Sequence, residues 1–513
     1  MKHIALIATT IACFGGFLFG YDTGVISSVL VMPTFFKDLG IDPKAQPDYV
    51  SEVKGNVVAL LQAGCCAGAI LINFFADRWG RKFAIVLSSI IFVVGGILQV
   101  VAHNMDTMLA GRFVAGFGVG ANSMLVPMYI AEIAPRRLRG RLGTLWQFLI
   151  VIGIMLSYWI GYGCLNNIAA GSLQWKVPLG IQIIPGGILV IGIPFMPESL
   201  RWLAAHGKMD QCRKTLANIR DVPEDDPSVI QEMEEIERAI ELERESKSLR
   251  ISEIFASSNL RRLFIGCMLQ LFQQWTGTNA INYYAPEIFQ AIGLSSAETQ
   301  VLATGVYGCV KVAFVFVSFF MVDTKLGRRR TLMIGSVIMC AAFYILGGMI
   351  YMILQQPPNS AVGAKGYIAI IMVYVFAIGY EFSWGPIVWI VCSEIYPTRI
   401  RAMCLSLTTA INWAMNATIA KVTPIMLLNI PYGTYFLFGS FAVVMGLFVY
   451  FLLPETRGRS LEQMDEVFGQ GILAFRHDNS VPTEKLHDDE ERAVERHEDN
   501  HEEKHEEKRE YVE

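Results

Sequence analysis

The chain reads as a run of long apolar stretches broken by short polar ones. Crossing the hydrocarbon core of a bilayer takes about 20 mostly apolar residues in a helix. Such stretches lie near 4–31, 56–76, 83–103, 107–132, 141–163 and 177–196. After a charged interval they resume near 262–291, 299–321, 331–353, 366–392, 402–427 and 431–453. The pattern predicts an all-α membrane protein of twelve transmembrane helices, and an even number puts both termini on one face. Within the interval, Ile230, Met233, Ile236 and Ile240 recur at helical spacing among acidic residues, which predicts amphipathic helices along the membrane surface. The expected division is a six-helix bundle (1–196), linker helices (197–260), a second six-helix bundle (261–453) and a tail (454–513). Beyond about residue 481 the tail has the Glu- and His-rich composition of a solvated, disordered segment.

Composition sharpens this picture. Apolar residues make up 53% of the 513 and charged ones 17%, against about 25% charged in a soluble domain. Segments 197–260 and 454–513 hold 51 of the 88 charged residues and carry −5 and −10, so the rest carries +11 within a total of −4. That excess gathers in alternate loops: Arg78, Arg81 and Lys82; Arg136, Arg137, Arg139 and Arg141; Lys325 and Arg328 to Arg330; Arg399 and Arg401. Lys and Arg resist translocation, so these loops mark the cytoplasmic face, and both termini are expected there. A small secreted domain, a disordered chain and a nucleic-acid binder are excluded. The ten cysteines lie almost wholly in apolar stretches without metal-ligand spacing, so they are expected to pack rather than bind metal. The first stretch is longer than a signal-peptide core and carries Tyr21 and Asp22, so it is expected to be retained.

The two sets of six repeat one another. Ala-Asp-Arg-Trp-Gly-Arg-Lys (76–82) answers Val-Asp-Thr-Lys-Leu-Gly-Arg-Arg (322–329), and Glu-Ile-Ala-Pro-Arg-Arg-Leu-Arg (132–139) answers Glu-Ile-Tyr-Pro-Thr-Arg-Ile-Arg (394–401). Pro197-Glu198-Ser199 likewise answers Pro454-Glu455-Thr456. The offsets of 247, 262 and 257 residues point to parallel repeats related by an axis along the membrane normal, with a site between them at mid-membrane. Polar groups at that depth normally face a cavity. Gln273, Gln274, Asn279, Asn282, Tyr283 and Tyr284 fall in the seventh stretch, Gln147 in the fifth, Trp384 and Trp389 in the tenth, and Asn412, Trp413 and Asn416 in the eleventh. Neutral amides both donate and accept, and an indole offers an apolar face, which together suit a polyhydroxylated ring.

These motifs resemble the sugar porter family of the major facilitator superfamily. The resemblance rests on Gly-Tyr-Asp-Thr-Gly (20–24), Asp77–Lys82, Glu132–Arg139, Pro197–Trp202, Gln273–Tyr284, Glu394–Arg401 and Pro454–Gly458, in order, and extends to about Phe468. The Gln-Gln-Trp-Thr-Gly-Thr-Asn-Ala-Ile-Asn-Tyr-Tyr segment is fungal in style. The resemblance implies a monosaccharide transporter with the major facilitator fold, working by alternating access in the plasma membrane. It further implies sugar contacts at Gln147, Gln273, Gln274, Asn279, Glu381, Trp389, Asn412 and Asn416, and an outer gate at Tyr283 and Tyr284. The cytoplasmic gate would comprise Asp77, Arg78, Arg81, Glu132, Arg139 and Glu198 with Asp323, Arg328, Arg329, Glu394, Arg401 and Glu455. Two departures touch that gate: one extra residue between Asp323 and Gly327, and Leu200 where the family usually has proline.

Charges inside the stretches carry the remaining chemistry. Asp22 is expected to pair with Arg112, a combination that in proton-coupled members of the family forms the proton site. Uniport and a sensor role are the alternatives. Lys311 stands where carriers of neutral glucose often have asparagine. It is read either as the structural partner of a carboxylate such as Glu381, or as a selectivity residue for an anion such as quinate or a uronic acid. The partners expected are a sugar, a proton and the bilayer, with the chain working as a monomer. No cofactor, metal or nucleic acid is expected, and nothing marks an enzyme. Gly116-Phe-Gly118-Val-Gly120 lies inside an apolar stretch with no preceding strand, so it reads as close helix packing rather than a dinucleotide loop.

Overall fold

A computed structural model of the chain describes residues 3–32, 34–42, 47–133, 139–245, 257–294, 296–321, 326–356, 363–396, 400–456 and 468. Among these described residues the regular secondary structure is all helical. The long helices before the linker are α1 (His3–Val29), α3 (Pro47–Trp79), α4 (Arg81–Val100), α5 (Met105–Ile133) and α6 (Arg139–Asn167). Two shorter ones, α7 (Ser172–Ile181) and α8 (Ile183–Gly192), run in series; α2 (Phe35–Asp38) is one turn. Among the described linker residues, three helices follow, α9 (Leu200–Ala205), α10 (Met209–Arg220) and α11 (Pro227–Glu245). Next come α12 (Ser257–Trp275), α13 (Thr278–Ile292), α14 (Ala297–Met321), α15 (Arg328–Leu354) and α16 (Ala364–Gly379). A π-helical turn (Tyr380–Trp384) leads into α17 (Ile387–Glu394), then α18 (Arg401–Asn429) and α19 (Pro431–Leu452).

Among the described residues, ten helical stretches are long and apolar enough to cross a membrane. Two expected crossings, 262–291 and 402–427, are helical but fall outside that set. The first breaks between α12 and α13 at Gly277, whose φ of 83° suits glycine, and both carry the amides that lower their hydropathy. The linker stripe sits one residue away from its expected start: Val229, Met233 and Ile240 are buried, whereas Ile230 is exposed. The tail from 457, apart from Phe468, lies outside the described residues.

Packing follows local chemistry. Gly116 and Gly120 of α5 lie against the backbone of α3. A Cβ there would sit 2.0 Å from the carbonyl oxygens of Leu61 and Cys65, which places the glycine run in helix packing. Gly116→Ala is expected to destabilise the protein by about 3 kcal/mol through overpacking, measured as a fall in thermal midpoint in detergent.

Prolines interrupt helices where other helices need acceptors. A proline has no N–H for the carbonyl four residues before it. Pro286 frees the Asn282 carbonyl, which accepts from Tyr158 Oη of α6 at 3.0 Å. Pro424 frees that of Ala420, which accepts from Tyr284 Oη at 2.7 Å, and Pro386 frees that of Phe382, which accepts from Ser318 Oγ at 3.4 Å. The Tyr158 bond joins a helix before the linker to one after it. Tyr158→Phe leaves a buried carbonyl unpaired at about 1–2 kcal/mol. The expected result is about a tenfold shift away from the conformation described here, read as a changed distance distribution between spin labels on α6 and α13.

Candidate functional site

Four of the basic-end motifs build one device twice. Gly80 and Gly327 start α4 and α15 with φ of 100° and 77°. Into the space a Cβ would fill come Glu198 and Glu455. Glu198 Oε1 accepts from the backbone N–H groups of Arg81 (3.1 Å) and Lys82 (3.3 Å). Glu455 accepts from those of Arg328 (2.9 Å) and Arg329 (3.1 Å). Each acid thus satisfies orphan donors at a positive helix end. Beside it, Arg81 pairs with Glu132 (3.3 Å) and Asp77 (3.1 Å), and Arg328 pairs with Glu394 (2.7 Å). Ser199 Oγ donates to Glu132, and Thr456 Oγ1 donates to Glu394 at 2.7 Å. Burial pushes the Glu198 and Glu394 carboxyls above the usual carboxylate range. Arg78 is exposed, and Asp323 and the side chains of Arg139 and Arg401 lie outside the described residues. None of the pairs described at this end joins a residue before the linker to one after it.

At the opposite end the pairs cross it. Lys54 of α3 meets Glu287 of α13 at 2.9 Å, and Lys421 of α18 donates to Asn56 Oδ1 at 2.6 Å. Beside them is a cavity of about 320 Å³ whose lining includes Val50, Lys54, Tyr284, Glu287, Leu427 and Tyr435. Tyr283 and Tyr284 are buried in a cluster that includes Val50, Val53, Val57 and Ala420. Residues from before and after the linker meet at this end.

Between the two ends lies a chain of amides. Gln273 Nε2 donates to the carbonyls of Trp384 (2.9 Å) and Gly385 (3.1 Å), which lie between the π-helical turn and α17. Asn412 Nδ2 donates to Gln273 Oε1 (2.9 Å) and Gln270 Oε1 (2.7 Å), and Gln274 Nε2 donates to Asn412 Oδ1 (2.9 Å). Asn279 donates to Gln274 Oε1 (2.6 Å), and Asn282 Nδ2 donates to Asn279 Oδ1 (3.1 Å). Asn416 closes a separate ring: Gln62 Nε2 donates to Tyr283 Oη (2.7 Å), Tyr283 to Asn416 Oδ1 (3.0 Å), and Asn416 Nδ2 to Gln62 Oε1 (3.4 Å). Gln147 and Trp389 are half-buried and make none of these bonds.

Two ion pairs stand in the apolar interior. Arg112 Nη1 meets Asp22 Oδ1 at 2.8 Å with both side chains fully buried, Arg112 Nε donates to the Val57 carbonyl (3.1 Å), and Gln99 Oε1 is 3.5 Å away. Asp22 Oδ2 is buried and makes no hydrogen bond. Lys311 Nζ lies 3.0 Å from Glu381 Oε1 and 3.1 Å from Asn282 Oδ1, so it joins the end of the amide chain. Tyr307 Oη donates to that same Asn282 oxygen at 3.2 Å. Gln62, Gln99, Gln270 and Tyr307 escaped the sequence reading. Gln62 and Gln99 are isolated amides on apolar helices, whereas Gln270 stands one turn before Gln273 and Gln274 and Tyr307 one turn before Lys311, so their signal lay in a polar neighbour on the same helix face.

Known proteins give the arrangement its context. The Sugar (and other) transporter family matches residues 8–468. A probable quinate permease of Neosartorya fischeri is 34% identical over 96% of this chain and 91% of its own length. A quinate permease of Emericella nidulans is 34% identical over 93% and 90%. Among solved structures, the xylose transporter XylE from E. coli in a partially occluded inward open conformation matches with a TM-score of 0.76 and 27% identity, covering 90% of this chain and 100% of that one. The proton:xylose symporter XylE bound to 6-bromo-6-deoxy-D-glucose matches with 0.76 and 28%, covering 91% and 99%. A helical architecture with membrane-spanning stretches, a major facilitator fold and a family match over nine-tenths of the sequence leave one reading: the chain belongs to the Sugar (and other) transporter family, as a multi-pass membrane transporter and not an enzyme.

Proposed function

We propose that the chain is a proton-coupled importer of a polyhydroxylated ring bearing one carboxylate, of which quinate and galacturonate are types. The observation that carries this is Lys311, a buried cation at the end of the amide chain, where a ring held by amides presents its substituents. The names of the quinate permease relatives support the same reading. In this scheme Gln147, Gln273, Gln274, Asn279, Asn412 and Asn416 hold hydroxyls, Trp389 meets the ring face, and Glu381 and Lys311 select charge. Asp22 with Arg112 takes the coupling proton. Tyr283 and Tyr284 close the outer side, and the Glu132–Arg81–Glu198 and Glu394–Arg328–Glu455 lattices close the inner one.

The bundles 1–196 and 261–453 then rock about the site, with the linker 197–260, the tail and both termini in the cytoplasm and a monomer in the plasma membrane as the working unit. Lattice pairs of this kind are worth about 0–1 kcal/mol each when exposed, so they bias the equilibrium only as a network. A neutral monosaccharide is the second reading, favoured by the amide chain and by the xylose-transporting structural neighbours. Proteoliposome uptake of labelled quinate, galacturonate, glucose and xylose, with and without an inward pH gradient, tests both. Gradient-driven accumulation of the acids is expected. Accumulation of glucose or xylose alone would overturn the anionic reading, and indifference to the gradient would overturn the coupling.

A further inference from the structure

The Lys311–Glu381 pair has a property that binding alone does not use. Both side chains are buried, at 2% and 1% exposure, so the pair occupies the apolar interior as a net-neutral unit. Glu381 spends only one oxygen on Lys311; Oε2 is buried and makes no hydrogen bond. The acid stands on the π-helical turn, whose backbone already departs from the regular α ladder. Around the pair the rings of Tyr307 and Tyr380 lie 5.5 and 5.9 Å from Lys311 Nζ, and Tyr283 is on the facing helix α13. These are neutral phenols. Of the other charged residues of the packed helices, Glu287 of α13 is paired with Lys54 at 2.9 Å, and Glu298, Lys365, Glu394 and Arg328 to Arg330 sit at helix ends.

A carboxylate substrate reaching Lys311 brings a third charge. One buried cation facing two carboxylates carries a net −1 in the apolar interior, which is costly to desolvate. We propose that the substrate carboxylate takes the place of Glu381 on Lys311 and that Glu381, released from its partner, accepts a proton from water on the open side at its free oxygen Oε2. The site then holds Lys311 as a cation, the substrate as an anion and Glu381 as a neutral acid, with the same net charge as when empty. On release the substrate leaves, Glu381 gives up its proton and re-forms the pair. One proton crosses with each substrate anion at this site, in addition to any proton carried by Asp22. No covalent bond changes, and the charges balance at each stage.

The inference rests on the anionic substrate proposed above, and quinate is the probe. Full-length protein in nanodiscs is titrated with quinate in buffers of different ionisation enthalpy between pH 5.5 and 7.5, using Asp22→Asn to remove that site's proton. Asp22→Asn is expected to take up one proton per quinate bound, with the dissociation constant rising about tenfold per pH unit. Adding Glu381→Gln, which mimics the protonated acid, is expected to abolish both the proton uptake and the pH dependence while quinate still binds. A pH slope unchanged by Glu381→Gln would overturn the exchange and leave the anionic reading standing. If Glu381→Gln does not fold, the Asp22→Asn measurement decides alone: no proton taken up with quinate overturns the exchange. Failure of the wild-type protein to bind quinate overturns both.

Discussion

Asp22→Asn is expected to lower accumulation of substrate about tenfold per pH unit of gradient while exchange of labelled for unlabelled substrate continues. Asp22 and Arg112 are fully buried and 2.8 Å apart, and Asp22 keeps an oxygen without a hydrogen bond. A proton arriving at that oxygen removes the counter-charge of Arg112, which then depends on the Val57 carbonyl and Gln99. The pair can therefore exist in two electrostatic states. Each coupled proton supports about tenfold accumulation for a gradient of one pH unit, since a tenfold ratio corresponds to about 1.4 kcal/mol. The variant, locked in the uncharged state, is expected to lose that tenfold and to keep only the share that the Glu381 proton supplies; for a neutral sugar its ratio falls to near one.

Removing one member of a buried pair also costs about 3–5 kcal/mol of stability, because the other charge is left uncompensated. A fall in yield alone would therefore say nothing about coupling. The double variant Asp22→Asn with Arg112→Met separates the two effects. It is expected to recover thermal stability but not the accumulation lost with the Asp22 proton. Recovery of both would reduce the pair to a structural one.

Lys311→Asn is expected to lower uptake of quinate and galacturonate about a hundredfold relative to glucose, within the 2–5 kcal/mol typical of truncating a buried hydrogen-bonded charge pair. The amide chain through Gln273, Gln274, Asn279 and Asn412 holds together without Lys311, so a neutral ring should retain its contacts. What the variant loses is the cation, together with the donor that Glu381 and Asn282 share. Measured as the ratio of initial uptake rates in proteoliposomes, an unchanged preference would mean that Lys311 serves only to neutralise Glu381. Stability should fall in Lys311→Asn and return when Glu381→Gln is added, whatever the preference does.

Much of the arrangement was legible because the membrane constrains sequence more tightly than water does. A backbone in hydrocarbon must satisfy its own hydrogen bonds, so apolar length translates directly into helices. The repeats were legible for a similar reason: Gly80 and Gly327 are needed at positive φ, and each needs an acid, Glu198 or Glu455, placed to meet the helix end behind it. The two crossings outside the apolar set show where this logic weakens. α12, α13 and α18 carry the amides, so the helices that build the polar chain have the faintest membrane signal.

The sequence by itself determined the succession of spans, their twofold repetition, the basic end and the presence of a few charges too deep to be incidental. Only the tertiary structure decided which of those charges and amides meet. Asp22 and Arg112 are 90 residues apart, Lys311 and Glu381 are 70 apart, and Gln62 and Asn416 are 354 apart. Spacing along a helix specifies a face, but helix packing decides which faces oppose and at what height. Gln62 shows the difference: an isolated amide on an apolar helix by sequence, it becomes one side of a hydrogen-bonded ring once α3 lies against α18 and Tyr283 enters between them. Desolvation supplies the physical reason, because a buried polar group is tolerated only where a partner arrives, and the partner comes from another part of the chain.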